Sequence, residues 1–125
     1  MRYSHFLIVA IFILTAFSAL AAAPRLIASA EAKPKIEKGS VFLLDVRTPE
    51  EYRQGHLRGA VLIPVDQVEK RLAEIPRNRP VLVYCAVGSR SGKAAEFLSG
   101  KGYPDVMSMS KGIVGWFKNG FPVER

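Results

Sequence analysis

The chain has 125 residues, 49% of them hydrophobic and 23% charged, which suits one domain with a single modest core and excludes a disordered chain. Its net charge is +7, but basic residues are interspersed with acidic ones, as in Glu69-Lys70-Arg71-Leu72-Ala73-Glu74, and no stripe of Lys and Arg alternates with aromatics. That arrangement points to a solvated mixed surface with a mild pull on small anions, and away from nucleic acid.

Residues 6–23 carry no charge, and Arg2 precedes them. Ala19-Leu20-Ala21 and Ala28-Ser29-Ala30 both fit the small-x-small pattern of a cleavage site. Residues 1–23 therefore read as a secretory signal peptide, with cleavage as late as residue 30, and the expected location is exported, in the periplasm. The alternative is an uncleaved inner-membrane anchor, because 18 apolar residues just span a bilayer. Arg25, Lys33, Lys35 and Lys38 would then favour a cytoplasmic C-terminal domain. Residues 24–40 are polar, aperiodic and Pro-bearing, and read as a linker into a domain over 41–125.

Within that domain, 41–46 is a short apolar run suited to a buried strand. A helix follows, with Thr48 as cap, Pro49 in its first turn, Glu51 completing a capping box and Gly55 ending it. Residues 60–64 make a second strand, stopped by Pro64. Asp66 then caps a helix in which Val68, Leu72 and Ile75 recur at helical spacing. Residues 81–85 form a third buried strand. A helix with Ala94, Ala95 and Leu98 facing inward follows, closed by Gly102. Residues 105–109 are a fourth strand, and a last short helix ends at Gly120 and Pro122. Strand and helix alternate throughout, which predicts an α/β fold with a mainly parallel sheet flanked by helices. Sites in such folds form at the C-terminal ends of strands.

Cys85, the only cysteine, stands at such an end. One cysteine cannot form an intramolecular disulfide, and in an exported protein an unpaired thiol is a liability, so its presence asks for a reason. The stretch Cys85-Ala86-Val87-Gly88-Ser89-Arg90-Ser91 joins a strand to a helix. A helix N-terminus offers free N–H groups and partial positive charge, and a glycine lets the loop curl so that amides converge on one point. A thiol at that point ionises more readily and becomes a nucleophile. Arg90 adds a fork of donors suited to an oxyanion. The plainer alternatives are a core cysteine, turn glycine, capping serines and a paired arginine, but their joint spacing favours a nucleophile in an anion cradle. With two histidines in the whole chain, a Cys/His metal site is not supported.

The chain resembles the single-domain rhodaneses, a family of sulfurtransferases. The matching stretches are Asp45-Val46-Arg47 with Glu51-Tyr52, Gly55-His56 and Gly59-Ala60; the Cys-x-x-Gly-x-Arg-Ser loop at 85–91; the helix after it; and a closing signature with Trp116 and Gly120-x-Pro122. Together they cover residues 41–123. The resemblance implies a rhodanese-like three-layer fold. Relatives often carry an additional strand and helix before the Asp-Val-Arg stretch. The segment here has no convincing strand, which leaves room for a reduced sheet with an exposed edge.

The resemblance also implies the chemistry. Cys85 attacks the outer sulfur of a small anionic donor such as thiosulfate, holds it as a persulfide, and passes it to a thiol or cyanide, with no metal or organic cofactor. The backbone of Ala86, Val87, Gly88, Ser89 and Arg90 would bind the persulfide and the donor. The alternative from another class is a non-catalytic or sulfur-delivering binding module. A phosphatase or arsenate reductase fits less well, because four residues separate Cys85 from Arg90 and such relatives carry one more. Asp45 and Arg47 are supporting residues. Asp45 could tune Cys85 or anchor Arg90, although a structural ion pair at the base of the loop is the preferred reading. Arg47 and Arg58 are at least as well read as structural or surface residues as anion attractors. His56 is read as a packing residue and Trp116 as a core anchor.

Overall fold

A computed structural model describes residues 23–125. The segment read as a signal peptide or anchor lies outside the described residues up to position 22. Among the described residues no helix is long and apolar enough to cross a membrane.

Five parallel strands form one sheet in the order β1-β5-β4-β2-β3. They are β1 (Arg25–Ile27), β2 (Phe42–Asp45), β3 (Val61–Leu62), β4 (Val81–Tyr84) and β5 (Val106–Met109). The helices are α1 (Ser29–Glu37), α2 (Pro49–Gln54), α3 (Ser89–Gly100) and α4 (Gly112–Lys118). All four residues of central β4 are buried, as expected of a strand covered on both faces.

Alternation along the strands divides the core in two. Leu44, Val81, Val83 and Val106 face α3, where Ala94, Ala95 and Leu98 meet them. Leu43, Leu82, Tyr84, Met107 and Met109 face the other way, toward Ala32 of α1 and Trp116 of α4. Trp116 anchors α4 as expected, and its indole N–H donates to the Pro122 carbonyl at 2.8 Å.

Two expectations are corrected. Residues 24–40 are not a linker. They contain β1, paired in register with β5 (Arg25 opposite Met107, Ile27 opposite Met109), and α1, so the sheet is not reduced. The strand is short and Leu26 is exposed, while α1 carries Pro34 and buries only Ser29 and Ala32, so neither element has an apolar rhythm to reveal it. What holds them is tertiary: Ile27 is buried, and both the amide and the hydroxyl of Ser110 donate to its carbonyl.

Nor do residues 66–75 form an α-helix. They make two separate 3-10 turns, Val65–Gln67 and Leu72–Glu74, and Asp66 caps nothing. The same apolar spacing still buries Val68 and Ile75. The ends are pinned from elsewhere, by the Val65 amide on the Val46 carbonyl at 3.0 Å and by the buried Tyr103 hydroxyl on the Ile75 carbonyl at 2.7 Å.

Candidate active site

Strand β4 delivers Cys85 to the C-terminal edge of the sheet, where the chain turns sharply into α3. The turn is made by Gly88, whose φ of 107° lies in the left-handed region that a side chain disfavours. The turn aims two amides at the sulfur: Gly88 N–H at 3.1 Å and Ser91 N–H at 3.3 Å from Cys85 Sγ. The Ser91 hydroxyl lies 3.4 Å from the same sulfur.

Burial pushes the Cys85 thiol up, because it disfavours the charged form. The Ser91 hydroxyl and the amides of Ser91, Gly88 and Val87 together outweigh that and hold the thiol below its ordinary value. Cys85 is buried, so the thiolate sits at the floor of the loop.

The loop is held open from outside by α4. Its first-turn amides, Ile113 and Val114, donate to the carbonyls of Cys85 (2.9 Å) and Ala86 (3.1 Å). With those carbonyls drawn outward, loop amides remain for the sulfur. The approach is so close that a Cβ on Gly112 would lie 2.3 Å from the Cys85 carbonyl oxygen.

Beneath the loop lies a buried polar cluster. Asp45 is fully buried and accepts from the Arg47 amide (2.9 Å), the Arg47 guanidinium (2.7 Å at Nη2) and the Tyr84 hydroxyl (2.7 Å). Tyr84 in turn accepts from the Leu57 amide at 3.1 Å, and Arg47 donates to the Gly55 carbonyl at 2.7 Å. The cluster ties the ends of β2 and β4 to the segment after α2. Burial pushes the Tyr84 phenol up, and the Asp45 charge pushes it further. The preferred reading of Asp45 as half of a structural ion pair matches this geometry. Its partner is Arg47, and neither Cys85 nor Arg90 is among its hydrogen-bond or ion-pair partners.

Arg90 departs from expectation. Its fork does not stand open for an oxyanion but clasps the Glu51 carboxylate, with Nη1 at 2.7 Å and Nη2 at 2.9 Å. Glu51 is held well below the usual carboxylate range, at about 2, chiefly by Arg90. The same carboxylate completes the predicted capping box of α2 with Thr48. One residue thus closes the helix start and fixes the arginine of the loop.

Of the predicted cradle, Val87 and Gly88 contribute amides to the sulfur, while Ala86 contributes its carbonyl to α4. Ser89 and Arg90 open α3. Ser91 does more than a capping serine would: both its amide and its hydroxyl lie against the sulfur. Ser108, buried in β5 and not among the expected site residues, donates to the Ser91 hydroxyl at 3.0 Å. A lone serine facing α3 from an otherwise apolar strand was the available signal. His56 packs as expected: it stacks on Tyr52 at 3.8 Å, and its Nδ1 lies 2.9 Å from the Tyr52 carbonyl. Arg58 is exposed, 3.7 Å from Glu124.

Residues 28–119 match the family described as Rhodanese-like domain. The chain belongs to the rhodanese-like family. It is 39% identical over 83 residues to a sulfurtransferase of Allochromatium vinosum, covering 66% of this chain and 78% of that protein. It is 48% identical over 65 residues to the thiosulfate sulfurtransferase PspE of Escherichia coli, covering 50% of this chain and 62% of that protein. With this and several other curated relatives the chain aligns over less than two thirds of their length. Its fold matches the crystal structure of a rhodanese-related protein from Thermoplasma volcanium with a TM-score of 0.75 at 32% identity, covering 80% of this chain and 97% of that one. The α/β fold with a parallel five-stranded sheet is thus that of rhodanese-like proteins.

Proposed function

We propose that this protein is a sulfurtransferase that carries sulfane sulfur on Cys85. The single observation behind the reading is a buried thiol whose ionised form is favoured by converging amides and the Ser91 hydroxyl. In the first half-reaction the Cys85 thiolate attacks the outer sulfur of thiosulfate. A new S–S bond forms at Sγ, the old S–S bond breaks, and its electron pair leaves with sulfite. Sγ stays at the point on which the amides of Gly88 and Ser91 converge, and the transferred sulfur lies one bond beyond it. In the second half-reaction an acceptor, cyanide or a thiolate, attacks the outer sulfur, and the electron pair returns to Sγ. No proton need move at either step when the nucleophiles are ionised, so no general base is required.

We also propose export. The support is the uncharged run at 6–23 and the small residues that close it. A cut before Arg25 would keep β1, whereas a cut after Ala30 would remove that strand and Ser29. The earlier site is therefore preferred, and N-terminal sequencing of the mature protein checks it.

The deciding experiment is thiocyanate production from thiosulfate and cyanide by the protein and by Cys85→Ser, with intact mass after thiosulfate alone. Activity and a gain of one sulfur atom, both absent in the variant, are expected. Equal turnover in the variant would remove Cys85 from the mechanism.

A further inference from the structure

Five large apolar side chains are exposed among the described residues, and three of them gather beside the catalytic loop: Val87 at 62% exposure, Val114 at 41% and Phe117 at 66%. Val114 and Phe117, with Ala86 and Val123, line an open groove of about 380 Å³, large enough for a small organic ligand. The groove also holds four charged residues: Arg47 after β2, Glu51 of α2, Lys118 at the end of α4, and Arg125. Arg47 is bound by Asp45, and Glu51 is bound by Arg90, so neither offers free charge. Lys118 and Arg125 remain, and neither forms an ion pair among the described residues. The groove is therefore apolar with a cationic rim.

Sulfur transfer gives such a groove a use. The loop amides that point inward are already engaged by Cys85 Sγ, so a reactant with a carbon body must find its contacts elsewhere. Cyanide needs none. A carbon-bearing acceptor would use the surface that adjoins the loop, and that surface is this groove.

We propose that the groove between the loop and α4 binds the acceptor, an organic thiol with an apolar body and an anionic group. This rests on Cys85 acting as the sulfur carrier. The apolar body lies on Val114 and Phe117, and the anionic group meets Lys118 and Arg125. The acceptor thiolate attacks the outer sulfur, an S–S bond forms between acceptor and sulfur, the Sγ–S bond breaks, and its electrons return to Cys85. The acceptor leaves as its own persulfide. A like-charged second copy of this chain is a poor occupant, given the net charge of +7.

The test uses 4-(mercaptomethyl)benzoate as acceptor, 3-mercaptopropionate as a small anionic control and cyanide as a control that needs no groove. Comparing each acceptor between wild type and Phe117→Ser cancels intrinsic thiol reactivity. We expect kcat/KM for the aromatic acceptor to fall about tenfold in Phe117→Ser, from lost apolar contact. The thiosulfate–cyanide rate should stay within twofold. With thiosulfate saturating, Lys118→Gln should weaken both anionic thiols more than it weakens cyanide. An equal effect on all three acceptors, or none on the aromatic one, would overturn the groove. The non-reactive 4-ethylbenzoate separates this from failure of the sulfur-carrier reading. NMR shifts at the methyls of Val114 and Val123 support the groove even in a protein without turnover, and their absence at millimolar ligand refutes it. Should an aryl thiosulfonate donor show the Phe117→Ser loss and the aromatic thiol not, the groove serves the donor, and the acceptor assignment fails.

Discussion

Gly112→Ala should damage the protein out of proportion to one methyl group. The new Cβ would lie 2.3 Å from the Cys85 carbonyl oxygen, 2.4 Å from that of Ala86 and 2.5 Å from the Ala86 carbonyl carbon. These are backbone atoms, so no side chain can swing aside. Gly112 also has a φ of 53°, which costs an alanine about 1 kcal/mol. Overpacking of this kind adds roughly 1–3 kcal/mol or more. The sum, about 2–4 kcal/mol, is a large part of a typical stability of about 5–15 kcal/mol. At roughly 4–8 °C per kcal/mol for a domain of this size, Tm should fall by at least about 8 °C. Gly120→Ala is the control. Its φ is 75°, but nothing lies within 4 Å of the added Cβ, so it carries the backbone cost alone. Thermal unfolding of both variants measures the difference. Gly112→Ala should also slow sulfur transfer in whatever fraction stays folded, because relief of the clash must move the loop that holds Cys85. A Gly112→Ala Tm no lower than that of Gly120→Ala would show that α4 does not brace the loop.

Tyr84→Phe should cost about 1–3 kcal/mol in chemical denaturation, since it leaves the buried Leu57 amide without its acceptor and removes one donor from Asp45; an unchanged midpoint would mean another group takes that amide. Glu51→Gln keeps an oxygen for the Thr48 amide but removes the charge that clasps Arg90, so α2 should survive while kcat/KM for thiosulfate changes several-fold. Because the folded-state value of Glu51 is depressed from 4.5 to about 2, its contribution to stability is full above pH 4.5 and lost as pH falls toward 2. The variant should lack that part of the acid-unfolding slope. In Ser91→Ala the midpoint of Cys85 alkylation against pH should rise, since a hydroxyl and its relay from Ser108 are lost. A midpoint unchanged from wild type would leave the amides as the whole cause.

What could be read from the sequence was whatever short-range chemistry decides. The capping box at Thr48 and Glu51 was legible because both partners lie within one helical turn, and the strands carrying Asp45 and Cys85 because four or five apolar residues in a row leave few alternatives. The loop was legible because glycine, serines and the strand–helix switch are close in the chain. Partners set by the fold were not. Arg90 and Glu51 are 39 residues apart, and so are Tyr84 and Asp45, so nothing local says that the arginine is already engaged. β1 and α1 escaped because their stability comes from β5 and Ser110 and not from an apolar rhythm of their own. Residues 66–75 differ for the opposite reason: the apolar spacing that buries Val68 and Ile75 is met by two separate 3-10 turns as well as by a helix, so the rhythm does not fix the backbone.

The site holds two arginines, yet it stabilises its anion with dipoles. Arg47 is neutralised by Asp45 and Arg90 by Glu51, each at 2.7 Å. What faces Cys85 Sγ is a set of amides and a hydroxyl within 3.1–3.4 Å. An open guanidinium would draw any anion from solution over a Debye length, whereas fixed N–H groups act only on an atom at their focus. The arrangement therefore favours the Cys85 sulfur over anions diffusing past. It follows that the Cys85 alkylation midpoint should scarcely move as the Debye length is shortened from about 30 Å to about 3 Å with salt, while kcat/KM for dianionic thiosulfate declines. A midpoint that climbed with salt as steeply as the rate fell would mean that net charge, through an Arg90 not neutralised in solution, holds the thiolate after all.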